Sequence, residues 1–271
     1  GVKALARYDI PSEGTNLEQK LQEQITRSIQ NAVDSKKIGI AFSGGVDSCL
    51  LAKITADLGY EVLLLTIGFD NSHDIKFSRG MAVLLGCKHL VETISEKTFP
   101  LVVRRIKRII ETDNLSWNEN CIGFHYVSKL AKKHRIKKVL TANGIDELFC
   151  GYNSYREVIS QGEKAVAAMM EKKLDNEIKM MEAVNSITLE FGIHLLQPFL
   201  SREFVEFAKE ISLDEKIWGP DDLMRKHIIR KLALLTGVPK ESALKRKKAL
   251  QYGSLIHKNL MKIRKTWNRT S

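Results

Sequence analysis

The stretch Ala41–Cys49, AFSGGVDSC, joins two apolar runs, which it overlaps at its ends, and contains two adjacent glycines. The run before it, IGIAF (38–42), is typical of a short buried strand, and the run after it, CLLAKITADL (49–58), is typical of a helix that stops at Gly59. Glycines let the backbone come close to a ligand, and the amide groups at a helix N-terminus attract anions. The stretch therefore predicts a phosphate-binding loop between a strand and a helix.

Asp47 is unexpected in such a loop, because a bare carboxylate repels phosphate. The loop also lacks the lysine that the Walker pattern GxxxxGK[ST] requires. A divalent cation would reconcile the two charges, since Asp47 would then bind the metal that holds pyrophosphate oxygens. The alternative is that Asp47 and Ser48 are only favourable residues for the first turn of a helix.

The rest of the first half alternates apolar runs with helical patterns. The patterns predict strands at 61–67, 89–94 and 136–142, and helices at 15–34, 74–86, 99–111 and 120–134. Buried strands alternating with helices predict an α/β fold, a doubly wound parallel sheet with helices on both faces. Three loops, 43–48, 66–70 and 143–147, then lie at the carboxyl ends of strands, where open α/β sheets bind ligands.

The second half is predominantly helical from about residue 155. Helical patterns cover 164–187, 202–211 and 222–237, and no low-complexity linker or internal repeat separates the halves. We expect an N-terminal packing helix region over 1–35, an α/β core over 36–155 and a C-terminal helical part over 156–271.

Composition narrows the classes of protein. The chain has 271 residues, of which 44% are hydrophobic and 28% charged, and no apolar run approaches a membrane span; a cytoplasmic protein is expected. The four cysteines, Cys49, Cys87, Cys121 and Cys150, are scattered, which argues against a zinc site and a disulfide framework. The net charge of +11 suits a polyanionic substrate such as a nucleotide, or RNA, or serves solubility alone.

Five motifs, in order, carry a resemblance to known enzymes. SGGVDS (43–48) resembles the SGGxDS signature of the PP-loop ATP pyrophosphatases, and NGIDELFCGY (143–152) resembles a segment of the synthetase domain of the asparagine synthetase family. QPFLSREF (197–204) and KHIIR (226–230) are similar to the PFLDxxF and KxxLR segments of that family. ALKRKKALQYGS (243–254) is similar to its basic loop, which carries a catalytic lysine.

The resemblance implies a fold of the adenine nucleotide alpha hydrolase-like (HUP) type and an adenylating ligase that uses ATP and Mg²⁺. A carboxylate attacks the α-phosphate, pyrophosphate leaves, and ammonia or an amine displaces AMP. The residues implied to bind ATP or pyrophosphate are Ala41, Ser43, Gly44, Gly45, Asp47, Ser48, Thr66 and Gly144. Those implied to act in catalysis are Lys248, with Lys247 a close second, Asp146 and Glu147, and the implied metal ligands are Asp47 and Asp146.

Each of these roles has a simpler alternative. Asp146 and Glu147 equally suit the start of a helix, and Thr66 either lines the adenine pocket or ends a strand. The run Arg246–Lys248 equally suits a solvated surface. The cations Arg225, Lys226 and Arg230 either contact phosphate or cover a helix.

The chain departs from the family pattern on the acceptor side. Asn143 replaces an acid, Cys150 a glycine, Leu196 an arginine and Ser201 an aspartate. The acceptor therefore stays open, with a small carboxylate and ammonia or an amine expected. The chain begins at Gly1 without the N-terminal cysteine of a glutaminase, so a separate glutaminase subunit is a candidate partner. The other candidate partners are tRNA, which the net charge of +11 suits, and a second copy of the chain. A tRNA-modifying enzyme and a non-catalytic nucleotide-binding subunit are the alternatives.

Overall fold

The structure is a computed structural model that describes residues 14–246 and 253–270. Its strands form one parallel sheet in the order β3-β2-β1-β4-β5. They are β1 (Lys37–Ala41), β2 (Glu61–Phe69), β3 (Lys88–Ile94), β4 (Lys138–Leu140) and β5 (His194–Leu196). The predicted parallel sheet is confirmed.

Helices connect these strands and continue after β5. They are α1 (Asn16–Ala32), α2 (Val46–Asp57), α3 (His73–Leu85), α4 (Phe99–Ile110), α5 (Leu115–Lys133), α6 (Ile145–Leu148), α7 (Ser154–Val158), α8 (Glu163–Leu189), α9 (Arg202–Glu210), α10 (His227–Leu235), α11 (Lys240–Ala243) and α12 (Ile256–Thr270). Among the described helices, none combines the length and apolarity that a membrane span requires.

Both faces of the sheet are buried, as the side chains of β2 show. Successive side chains of a strand point to opposite faces of its sheet. Val62 and Leu64 pack in a core with α1, α2, α3, α9 and α10, while Leu63 and Leu65 pack in a second core with α4, α5 and α12. Helix α8 contributes to both cores. Helices on both faces make the sheet doubly wound, as predicted.

The C-terminal part differs from the prediction in two places. The short strand β5 pairs with β4 in the sheet, although it spans only three residues and no strand was predicted there. The predicted helix 222–237 begins only at His227, because Arg225 and Lys226 both have left-handed backbone conformations. The predicted domain division near residue 155 stays a prediction, while the sheet itself includes residues from both sides of it.

The order of the strands places a crevice beside β1. The chain leaves β1 toward β2 on one side, and β4 pairs with β1 on the other side. The loops after β1 and β4 therefore diverge at the carboxyl end of the sheet, which is where α/β folds of this type bind ligands.

Candidate nucleotide-binding and catalytic site

The loop after β1 is held in one conformation by its glycines and serines. Gly44 has a φ of 79°, and a Cβ there would lie 3.0 Å from the Phe77 ring and 3.2 Å from Ser78 Cα. The Gly44 carbonyl accepts a hydrogen bond of 2.7 Å from the Ser242 hydroxyl. Only glycine fits this position without displacing its neighbours, so the loop is preformed at the start of α2.

A cavity of about 230 Å³ opens beside this loop. Its walls come from the loop, the ends of β1 and β2, the loop after β4, and helices α3, α5 and α8. Of the residues implied by the sequence to form the site, the structure places Ala41, Ser43, Gly45, Asp47, Ser48 and Asp146 in the cavity wall.

Lys226 lies between the two predicted metal ligands. Its ammonium nitrogen is 2.9 and 2.7 Å from the two carboxylate oxygens of Asp47 and 3.1 Å from Oδ1 of Asp146. The lysine is fully buried, while both carboxylates keep part of their surface on the cavity. Burial alone would lower the pKa of Lys226, but the carboxylates of Asp146 and Asp47 outweigh burial and raise it.

A strained turn presents Lys226 to the cavity. Arg225 and Lys226 have φ values of 54° and 53°, which is rare for residues with a side chain. Asp222 accepts hydrogen bonds from the backbone N–H groups of Met224 and Arg225, at 2.9 and 3.0 Å. Arg230 donates to the carbonyls of the same two residues, at 2.8 Å each. The turn is therefore fixed from both sides.

Asp222 keeps its charge within this turn. Burial alone would raise the pKa of Asp222, but hydrogen bonds from His227 and from the backbone N–H groups of Trp218 and Arg225 hold it well below its usual range. The His227 ring, which is 2.6 Å from Asp222, also stacks on Trp218. An ionised carboxylate accepts hydrogen bonds more strongly than a neutral one, so Asp222 stabilises the strained backbone before Lys226.

Thr66 is not part of the cavity wall. Its side chain is buried, and its hydroxyl donates a hydrogen bond of 2.6 Å to the carbonyl of Phe42 and lies 2.8 Å from Nε2 of His89. Its neighbours Leu65 and Ile67 line the cavity instead. The alternation of side chains along β2 turns Thr66 away from the cavity, and its predicted contact with the nucleotide stays a prediction.

Three more predicted residues, Gly44, Gly144 and Glu147, pack next to residues that line the cavity and do not line it themselves. Gly44 and Gly144 allow close packing, since a Cβ on Gly144 would lie 2.9 Å from the carbonyl oxygen of Phe199. Glu147 is buried and accepts a hydrogen bond from the hydroxyl of Tyr152, which itself lines the cavity. The predicted roles of Gly44 and Gly144 in binding ATP and of Glu147 in catalysis stay predictions.

The cavity wall near the loop after β4 contains an acid that sequence reasoning missed. The amide of Asn143 donates a hydrogen bond of 2.6 Å to Oε1 of Glu177 on α8, and both residues line the cavity. Glu177 interrupts the apolar stripe of α8, in which Met170, Leu174 and Met181 are buried. A lone carboxylate on such a stripe was the signal available in the sequence.

Two residues of the basic loop line the cavity. Lys245 and Arg246 lie in its wall, and Lys245 Nζ is 3.0 Å from the centre of the Phe77 ring and 2.8 Å from Nε2 of His73. Lys245 was not among the predicted site residues. Lys247 and Lys248, which were, lie outside the described residues.

The described residues on both sides of 247–252 are held in place by hydrogen bonds. Arg230 donates to the carbonyls of Ala243 and Lys245, at 2.6 and 2.9 Å. After the gap, the backbone N–H of Phe69, at the end of β2, donates a hydrogen bond of 3.0 Å to the carbonyl of Ser254. The flank before the gap therefore lies in the cavity wall, and the flank after it is joined to the end of β2.

The carboxylates fit one kind of metal site. Among the described residues, no group of three or more His, Cys, Asp or Glu side chains could enclose a metal ion. The pair Asp47 and Asp146 instead faces one cation position beside the loop Ser43–Ser48, called the phosphate loop below. Mg²⁺ is commonly bound through one or two carboxylates and the phosphates of a substrate, so this pair fits a metal that arrives with a nucleotide.

Comparison with known proteins identifies the family. The profile of the asparagine synthase family matches residues 20–190. This chain belongs to the asparagine synthase family. The match covers the phosphate loop, the segment after β4 and Glu177.

Several relatives align over most of the chain. A protein of Methanocaldococcus jannaschii provisionally named asparagine synthetase [glutamine-hydrolyzing] 1 is 29% identical over 92% of this chain and 52% of its own length. The asparagine synthetase [glutamine-hydrolyzing] of Gallus gallus is 24% identical over 96% of this chain and 46% of its own. This family member thus spans about half the length of these relatives. The solved NMN synthetase of Francisella tularensis superposes with a TM-score of 0.46 at 16% identity, over 87% of this chain and 75% of that one.

Proposed function

We propose that this family member is an ATP-dependent ligase that adenylates a carboxylate, releases pyrophosphate and passes the activated acyl group to ammonia or an amine. The observation that carries the proposal is the pair Asp47 and Asp146, which face one cation position in the cavity beside the preformed loop Ser43–Ser48. A phosphate loop that carries an acid needs a metal to hold polyphosphate. The names of the relatives, asparagine synthetases, agree with this chemistry.

The phosphate end of the cavity would bind the nucleotide. The glycines of the loop and the N-terminus of α2 would hold phosphate oxygens through backbone N–H groups. Asp47 and Asp146 would hold Mg²⁺, which when bound neutralises the charge that develops on the leaving pyrophosphate. Leu65 and Ile67 give the cavity an apolar wall that suits a base.

Positive charge around the α-phosphate would come from the basic loop. Negative charge accumulates on the α-phosphate oxygens when the carboxylate attacks, and preorganised cations stabilise that charge most effectively. Lys245 and Arg246 already line the cavity. Lys248, or Lys247 beside it, is the proposed catalytic cation, because the residues that precede them, Lys245 and Arg246, lie in the cavity wall.

The acceptor end would bind the carboxylate substrate and the nitrogen nucleophile. Asn143 is neutral where the family pattern has an acid, and Glu177 places a carboxylate within a hydrogen bond of it. Glu177 would therefore take the proton that the nucleophile loses on forming the amide. The names of the relatives include glutamine hydrolysis, and a separate glutaminase as the source of ammonia is part of this proposal.

The test resolves the products of α-labelled ATP after incubation with the protein, Mg²⁺, ammonia and pools of small carboxylates. We expect AMP and pyrophosphate whose release depends on a carboxylate, and ADP as the product would contradict the proposal. A parallel reaction with tRNA instead of carboxylates tests a nucleic-acid acceptor.

Asp47→Asn should lower AMP release by about 10³-fold, because the variant removes a metal ligand that acts in the transition state. The matched control is Asp57→Asn at the other end of α2, where the exposed carboxylate pairs with Lys53. That control should retain wild-type turnover. Equal turnover of the two variants would remove Asp47 from the mechanism.

A further inference from the structure

We propose that the ammonium group of Lys226 holds the cation position between Asp47 and Asp146 in the nucleotide-free protein and yields this position to the divalent cation that enters with the nucleotide. This inference rests on the proposed function, because it concerns the same carboxylates. It adds a role for a residue that the sequence assigned either to phosphate or to a helix surface.

The first support is the geometry of the three groups. Nζ of Lys226 lies within 2.9 Å of both oxygens of Asp47 and 3.1 Å from Oδ1 of Asp146. A magnesium ion would stand about 2.0–2.1 Å from the carboxylate oxygens that bind it. An ammonium and a divalent ion at the same oxygens would be within van der Waals distance of one another and would repel strongly in this buried setting. One cation must therefore move when the other arrives.

The second support is the cost of the carboxylates when they are alone. Two partly buried carboxylates that face each other destabilise the folded protein unless a cation lies between them. Lys226 supplies that cation from within the chain. The protein can thus fold with an intact site before it meets a metal or a nucleotide.

The third support is the backbone that carries Lys226. Arg225 and Lys226 are both in the left-handed region, a conformation that is strained for residues with a side chain. Hydrogen bonds from Asp222 and Arg230 hold this turn in place. Strain of this kind persists where neighbouring contacts fix it, and here it directs one ammonium group to the two carboxylates.

The movement of Lys226 does not require the turn to unfold. Its side chain has four rotatable bonds, and the residue already lines the cavity. The displaced ammonium would stay within the cavity, next to the polyphosphate that accompanies the metal. The exchange would replace one positive charge between the carboxylates by two, without expelling the first.

The first experiment measures thermal unfolding in a chelator, where no divalent cation is present. We expect Asp47→Asn to lower Tm by several degrees, because Lys226 would be left buried with one counter-charge. Asp57→Asn on the same helix should leave Tm nearly unchanged. A Tm of Asp47→Asn equal to or above that of the wild type would overturn the inference, because it would show that the contact between Asp47 and Lys226 does not stabilise the nucleotide-free protein.

The second experiment titrates the nucleotide-free protein with Mn²⁺ alone and follows free Mn²⁺ by electron paramagnetic resonance. Lys226→Met removes the competing cation and keeps the length of the side chain, so it should bind Mn²⁺ at least about tenfold more tightly than the wild type. Mn²⁺ should also raise the Tm of this variant more than that of the wild type. Lys231→Met, which removes a lysine of α10 that pairs with Glu215, is the control and should bind Mn²⁺ like the wild type.

Unchanged Mn²⁺ affinity in a folded Lys226→Met protein would also overturn the inference. If this variant does not fold in the chelator, refolding in the presence of Mn²⁺ is decisive, because recovery with Mn²⁺ supports the exchange and failure with Mn²⁺ contradicts it. Neither experiment depends on turnover. The proposed function would survive both failures if the wild type still releases AMP with Mg²⁺.

Discussion

The two ends of the cavity differ in how their charges are compensated. At the phosphate end, Asp47 and Asp146 share the ammonium of Lys226, and a preformed loop lies beside them. At the acceptor end, Glu177 accepts a hydrogen bond from the neutral amide of Asn143. The phosphate end is thus prepared for a cation and an anion together, whereas the acceptor end offers a carboxylate to a positively charged or proton-donating group.

This difference agrees with the way the sequence is related to its family. The loop Ser43–Ser48 and Asp146 match the family motifs, while Asn143 departs from them. We therefore expect nucleotide chemistry to follow the family and acceptor chemistry to be particular to this protein. Perturbing each end separately tests this division.

The first test perturbs the acceptor end. Glu177→Gln keeps the shape of the side chain and removes its charge, so amide formation should fall by about 10²- to 10⁴-fold, in line with the loss of a general base. The dissociation constant for Mg²⁺–ATP should stay within about twofold of the wild-type value, which corresponds to a change of under about 0.5 kcal/mol in the free energy of binding. Product formation and equilibrium binding of nucleotide, measured on the same preparation, check both statements.

The control for this variant is Glu182→Gln on the same helix, where the side chain is exposed. It should leave both quantities unchanged. If Glu177→Gln weakened nucleotide binding as strongly as amide formation, the two ends would act as one unit and the division proposed above would be wrong.

A smaller effect is expected at the phosphate loop. Gly44→Ala adds a Cβ that meets Phe77 and Ser78, at a φ of 79° that disfavours alanine. The free energy of unfolding should fall by about 1–3 kcal/mol, and nucleotide binding should weaken because the loop must shift. Denaturant unfolding with and without Mg²⁺–ATP checks this expectation.

Gly80→Ala provides the contrast within one protein. Gly80 lies inside α3, its φ is not positive, and a Cβ there would meet nothing within 4 Å. Alanine should therefore stabilise the helix by about 0.5–1 kcal/mol. Equal effects of the two substitutions would show that the loop conformation at Gly44 is not required.

The sequence predicted the architecture because the fold depends on local patterns that survive in one dimension. Continuous apolar runs for β1 and β2, and the four-residue spacing of Leu21, Ile25 and Ile29 in α1, follow directly from burial on one or both faces. Strand β5 was missed because three residues are too short for such a pattern, and its pairing with β4 depends on tertiary packing.

The site was predictable only where a motif carried it. Asp47 and Asp146 follow from two motifs, but their joint contact with Lys226 depends on a turn whose positive φ values are imposed by Asp222 and Arg230. No local propensity favours two left-handed residues with side chains. The helical periodicity of the sequence therefore predicted a helix that included the turn, and the orientation of Lys226 could not be predicted from it.

A second buried lysine shows what Lys226 would be without its carboxylates. Lys216 is also almost fully buried, but its ammonium donates a hydrogen bond of 2.6 Å to the carbonyl of Ala208 and lies 5.6 Å from the centre of the Phe149 ring. Burial lowers the pKa of Lys216 to about 8, opposite to the shift of Lys226. Counter-charge, rather than burial, thus separates the two lysines.

This contrast predicts a pH dependence of stability. Between the folded pKa of about 8 and the ordinary value of 10.5, the unfolded chain binds a proton that the folded protein has released, so stability rises with pH. From pH 7 to pH 9, Lys216 should add about 1 kcal/mol to the free energy of unfolding. Lys216→Met should lose this part of the slope, whereas Lys20→Met, at an exposed position of α1, should keep it. Urea unfolding of the three proteins at both pH values measures the slopes, and equal slopes would show that Lys216 stays protonated when buried, as Lys226 does between its two carboxylates.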